Sequence, residues 1–131
     1  MDIFIKHANH NMGFHTKICS QYPDEYYDWK IICLFYIAIH YLKSLSLHRQ
    51  KIIGDRHSEI NVNIRKNGRM PLAKTARDNY LKLFEFSQSA RYEGIDEIEE
   101  FNRLQKTDYG FALKCFWDFE KYIISNGVKI K

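Results

Sequence analysis

Residues 31–42 contain the feature that most restricts what this chain can become. In the run Ile31-Ile32-Cys33-Leu34-Phe35-Tyr36-Ile37-Ala38-Ile39-His40-Tyr41-Leu42 almost every position is apolar. A helix with apolar side chains on nearly every side has to be contacted on several faces. The uninterrupted part, Ile31 to Ile39, is too short to span a bilayer and is expected to form a buried core helix. Pro23 suits its first turn, with Asp24, Glu25 and Asp28 near the positive end of the helix dipole, and the pattern continues to about His48.

The rest of the chain supplies elements that can surround such a helix. Asp2 is a plausible N-cap for a first helix over about residues 2–20, with Phe4, Ala8, Met12, His15 and Cys19 at helical spacing. Gly54-Asp55 marks a turn. A short helix is expected from His57 to Asn67, with Gly68 in the left-handed position that ends it. Pro71 can open the next long helix, which carries Leu72, Ala76, Tyr80, Leu83, Ser87 and Ala90 and closes near Tyr92 or Gly94. A weaker amphipathic stretch, Ile95 to Gln105, precedes a last helix capped by Asp108 and stopped at Asn126-Gly127.

No segment alternates with a period of two, and two prolines with six glycines are too few for the turns of an all-β chain. The expected fold is all-α, an antiparallel up-and-down four-helix bundle with one or two additional short helices. At 131 residues, residues 1–131 are expected to form a single domain around one core. Cys19, Cys33 and Cys115 are odd in number and widely spaced, which excludes a disulfide framework or a cysteine-rich zinc site and suggests a reducing compartment. Residues 1–20 lack a continuous apolar stretch of the signal-peptide kind, so the expected location is the cytoplasm, without a membrane partner.

Charge is unevenly distributed. Between Arg49 and Lys82 nine basic residues face three acidic ones, whereas Glu93 to Glu100 holds five acids and no base. A cationic middle attracts phosphate, and an acidic segment repels it or pairs with a neighbouring subunit; both also suit solvated helix faces. His7, His10 and His15 fan over a wide arc without a carboxylate at ligand spacing, so no metal is expected. Nucleophile-elbow and phosphate-loop patterns are missing, and no cofactor is implied.

Two polar stripes remain. His40, Ser44 and His48 recur at four-residue steps on the apolar helix, where a buried imidazole needs a hydrogen-bond partner. His57, Asn61 and Arg65 repeat that spacing on the short helix. Imidazole and guanidinium are the side chains that metal-independent RNA cleavage uses, one moving the proton and the other holding charge on phosphorus.

The order of His10-Asn11, Tyr27-Asp28-Trp29, Phe35-Tyr36-x-Ala38-x-His40-Tyr41 and Ser89-Ala90-Arg91-Tyr92 resembles the HEPN (higher eukaryotes and prokaryotes nucleotide-binding) superfamily, in particular its small stand-alone prokaryotic members, over about residues 5–125. The resemblance implies a four-helix bundle, commonly a homodimer with its cleft between subunits, that binds RNA or nucleotide or cleaves RNA in defence or toxin–antitoxin systems. Active members carry Arg, four to six residues, then His. Here Arg49 precedes His57 by seven intervening residues, Arg56 adjoins it, and no histidine follows.

The candidate catalytic residues are accordingly His57, Arg49 and Arg65. Arg56, Asn61, Lys66, Arg69, Arg91 and Tyr92 are candidates for nucleic-acid contact, and His40, Ser44 and Asp28 for buried polar roles, with Arg91 expected to tie two helix ends through Asp28. Three functions follow as expectations: an RNA- or nucleotide-binding module, a metal-independent endoribonuclease, or a non-catalytic scaffold for a partner protein.

Overall fold

The computed structural model describes residues 1–92 and 98–131, and among them the chain is all-helical. Its elements are α1 (Ile3–Gln21), α2 (Tyr27–His48), α3 (His57–Asn63), α4 (Lys74–Tyr92) and α5 (Ile98–Ser125). α2 packs against α1, α4 and α5, as its all-round apolar surface requires. Ile31, Leu34, Phe35, Ile37, Ala38, Tyr41, Leu42 and Leu45 are all but sealed from solvent. With 22 residues α2 is long and apolar enough to cross a membrane. Its cover of neighbouring helices, not a shortage of length, makes it a core helix.

Side-chain contacts give the directions. His7 meets His40 while Asp2 meets Ser44, so α1 runs antiparallel to α2. Tyr80 and Phe84 pack on Phe35, while the Ala73 amide just before α4 donates to the Tyr122 hydroxyl and Tyr80 packs on Phe119, so α4 runs antiparallel to α5. Tyr27 packs on Tyr109, Tyr41 on Phe116, and Arg49 bonds Asn126, so α5 lies parallel to α2 across the bundle. This is the up-and-down arrangement, with one additional short helix, α3.

Local chemistry accounts for the helix ends. Asp2 caps α1 by accepting from the Ile5 amide at 2.9 Å, and its second oxygen accepts from the Ser44 hydroxyl at 2.7 Å. α5 stops as expected: Gly127 is left-handed at φ 94°, and the amides of Gly127 and Val128 close onto Ile124 and Ile123. The end of α2 repeats this hydrogen-bond pattern with Gln50 (φ 55°) in the glycine position.

Four boundary expectations are corrected. Pro23 lies in the turn before α2, which starts after left-handed Tyr26, and the buried ammonium of Lys30 holds that turn by donating to the Tyr22 and Pro23 carbonyls at 2.6 and 3.3 Å. α3 ends at Asn63, and Gly68 is not left-handed; a Cβ there would collide with the Asn63 carbonyl, so it is close packing that asks for glycine. Pro71 precedes α4 by three residues, because the amides of Met70 and Leu72 are taken by Asn63 and Ile64 in a turn that leans on α3. The weak stretch and the last helix are one 28-residue helix, with Asp108 inside it, since Ala112, Phe116, Phe119 and Ile123 extend a single buried stripe back to Gln105.

Candidate functional site

Three helices bring polar side chains onto one face of the bundle beside α2. On α2 itself, Tyr36, His40 and Lys43 fall at steps of four and three, and so share a side. α3 contributes His57 and Asn61 one turn apart, and α4 contributes Ser87 and Arg91 at the same spacing.

His57 is the first residue of α3, and its half-buried ring packs 5.5 Å from Phe35 and 5.6 Å from Phe84, centroid to centroid. Its Nδ1 is buried with no hydrogen-bond partner, as is Oδ1 of Asn61 on the next turn. Leaving such an atom unpaired costs on the order of 1–3 kcal/mol. Burial pushes the His57 pKa down, and the nearby charges of Arg91 and Lys43 push the same way, so the ring is held neutral below the usual histidine range.

Arg91 is fixed from two sides. Its Nη1 donates to the Tyr36 hydroxyl at 3.0 Å and its Nη2 to the Ser87 hydroxyl at 3.1 Å, while Nε reaches the Ser87 carbonyl at 3.3 Å. The guanidinium carbon stands 5.6 Å from the centre of the Tyr36 ring. An arginine held this way presents charge with little rotamer freedom left to lose.

One turn along α2 from Tyr36, His40 stacks on His7 of α1 with centroids 5.3 Å apart and planes 25° apart. It too is half-buried with an unpartnered Nδ1, and burial, then His7 and Lys43, lower its pKa. Lys43 is thus felt by both imidazoles. No carboxylate pairs with Lys43, His40 or His57 among the described residues. A hollow of about 290 Å³ adjoins Lys43, with Phe4, Lys51, Ile53 and Asp55 in its walls.

The chain matches no family model, no curated protein and no solved structure. What the site can do rests on its own side chains. A neutral imidazole accepts a hydroxyl proton, and ammonium and guanidinium groups bind phosphate oxygens.

The expected residues divide between this face and elsewhere. His57 and Arg91 are electrostatic neighbours, His40 shares Lys43 with His57, and Asn61 lies one turn from His57 on α3. Arg49 caps α2 and donates to Asn126 Oδ1 at 2.7 Å, a tie to the end of α5. Arg65 falls beyond α3, so the expected His57–Asn61–Arg65 stripe breaks before its arginine; it is exposed, as are Lys66 and Arg69 in the same turn. Arg56 is exposed and stands 4.0 Å from Glu59. Tyr92 closes α4, but its side chain, like those of Glu93, Asp96, Glu97, Glu99 and Glu100, lies outside what is described.

Ser44 is buried on Asp2, whereas His40 is only half-buried and His48 exposed. Asp28 is half-buried and lines a separate hollow with Tyr26, Trp29 and Phe101; the expected tie to Arg91 is not among that arginine's contacts with Tyr36 and Ser87. Sequence reasoning passed over Lys43, Ser87 and the pairing of His7 with His40. The 36–40–43 spacing on an apolar helix was the available signal.

Proposed function

We propose that this chain is an HEPN-like RNA- or nucleotide-binding module that takes phosphate at His57, Arg91 and Lys43. The observation that carries the reading is His57: an imidazole held neutral beside a fixed guanidinium and an unpaired ammonium, with a buried ring nitrogen left without a partner. Charge-assisted hydrogen bonds to phosphate are worth about 1.5–3 kcal/mol each, so removing one costs about tenfold or more in affinity. Fluorescence anisotropy with labelled octauridylate at low salt tests this. Arg91→Gln and Lys43→Gln are each expected to weaken binding, at unchanged helical content. Retention of full affinity in both variants, or no binding by the native chain, overturns the reading.

The neutral state of His57 favours a second reading, that of a metal-independent endoribonuclease in which Arg91 takes the role expected of Arg49 or Arg65. Nε2 of His57 would accept the 2′-hydroxyl proton, O2′ would bond to phosphorus, and the 5′-oxygen would leave and take a proton from solvent. Cleavage in EDTA with 2′,3′-cyclic phosphate ends, lost in His57→Ala, is the expected signature. Intact RNA after prolonged incubation restricts the chain to binding.

A further inference from the structure

We infer that the site takes two consecutive phosphates of a nucleic-acid strand, one at Arg91 and His57 and the next at the stacked pair His7 and His40, with Lys43 serving both. The inference rests on the binding reading above and extends it from a single phosphate to a strand.

Geometry sets the spacing. Arg91 is anchored on Tyr36 and His7 is stacked on His40. Those two α2 positions are one turn apart, about 6 Å along the axis. That exceeds the separation of phosphorus atoms within a diphosphate and suits successive phosphates along a strand.

Charge supports the second position. His7 and His40 hold two imidazoles face to face with Lys43 near, an arrangement in which protonation of either ring is opposed by its neighbours unless an anion lies against the ring edges. The charges that act on His40 are His7 from α1 and Lys43 from α2 itself, with Asp2 on the next turn of α1 already committed to Ser44 and the Ile5 amide. A bound phosphate relieves the repulsion and offers an acceptor to the exposed His7 ring. Beyond Lys43, the hollow containing Lys51 leaves room for the strand to continue.

Binding of uridine monophosphate, ADP, diuridylate and octauridylate to the full chain at low salt tests the inference, with His40→Gln and His7→Gln beside the native protein. The penalty of each substitution is expected to grow with chain length, from under about twofold for the monophosphate to about fivefold or more for octauridylate. Equal penalties for all ligands, or no penalty for octauridylate in either variant, overturn the two-phosphate site while leaving the binding reading intact. ADP binding as tightly as octauridylate also overturns it, because adjacent phosphates of one nucleotide would then suffice. If no ligand binds the native chain, both readings fall. Far-ultraviolet circular dichroism shows that the variants are folded.

Discussion

Histidine is the residue on which much of this molecule's pH behaviour turns. His15, His40 and His57 all have pKa values below 6.5, and burial is the first cause in each. An unfolded chain titrates these rings near 6.5. As pH falls below that value the unfolded state takes up protons that the folded state does not, so stability falls until the folded rings protonate as well. Asp2 works in a lower window: burial raises its pKa, but hydrogen bonds from Ser44, Ile5 and Phe4 outweigh this and leave it below 3.8, so its contribution is intact above 3.8. Urea midpoints at pH 7.5, 6.5 and 5.5 should therefore decline, and His57→Gln should make the decline shallower. An equal or steeper decline in the variant would mean that the ring is not held neutral by the fold. His57 was legible as a candidate because histidine in a basic segment is conspicuous. Arg91 was a candidate for nucleic-acid contact in its own right, but its nearness to His57 was not legible, because the two lie 34 positions apart and only tertiary packing brings them near.

Elements were legible wherever local chemistry decides them. The all-apolar run announced α2 as the core helix, Asp2 announced the start of α1, and Asn126-Gly127 announced the end of α5. Boundaries decided by tertiary contact were not. α5 runs unbroken past Asp108 because its buried stripe outweighs the capping preference of one aspartate. Pro23 is displaced from α2 because Lys30 holds the preceding turn by its carbonyls, a long-range use of a lysine that no periodicity reveals. The two helix ends that share one hydrogen-bond pattern make a direct comparison. At α5 the left-handed position is Gly127, and at α2 it is the exposed Gln50. A left-handed non-glycine residue costs about 1–2 kcal/mol, and the extra freedom of glycine in the unfolded chain offsets about 0.5–1 kcal/mol of any relief. Gln50→Gly is thus expected to stabilise the fold by roughly 0.5–1 kcal/mol, a rise in Tm of about 2–4 °C. A fall in Tm on calorimetry would show that the Gln50 side chain contributes more than its backbone strain costs.

At the scale of the whole molecule the question is whether phosphate is held at one built site or spread over a basic surface. The net charge is only +4, and exposed cations of the 49–82 segment are partly matched, with Lys74 on Asp78 at 2.9 Å and Arg56 beside Glu59. Exposed pairs of this kind are worth little to stability, but they reduce the free charge offered to a polyanion. Arg49 is likewise committed to Asn126, whereas Arg91, Lys43, His57 and the His7–His40 stack bring nitrogen groups from four helices to one face. Each phosphate neutralised on a single strand contributes about −0.7 to the slope of log K against log salt. Two phosphates on this face predict a slope of about −1.4 for octauridylate between 50 and 200 mM salt, and Lys43→Gln should make it shallower. Engagement of the whole segment, with six or more phosphates neutralised, would give a slope steeper than about −4 and would be indifferent to Lys43. A steep slope would place recognition on the exposed turn of Arg65, Lys66 and Arg69 and remove the imidazole face from the binding of RNA.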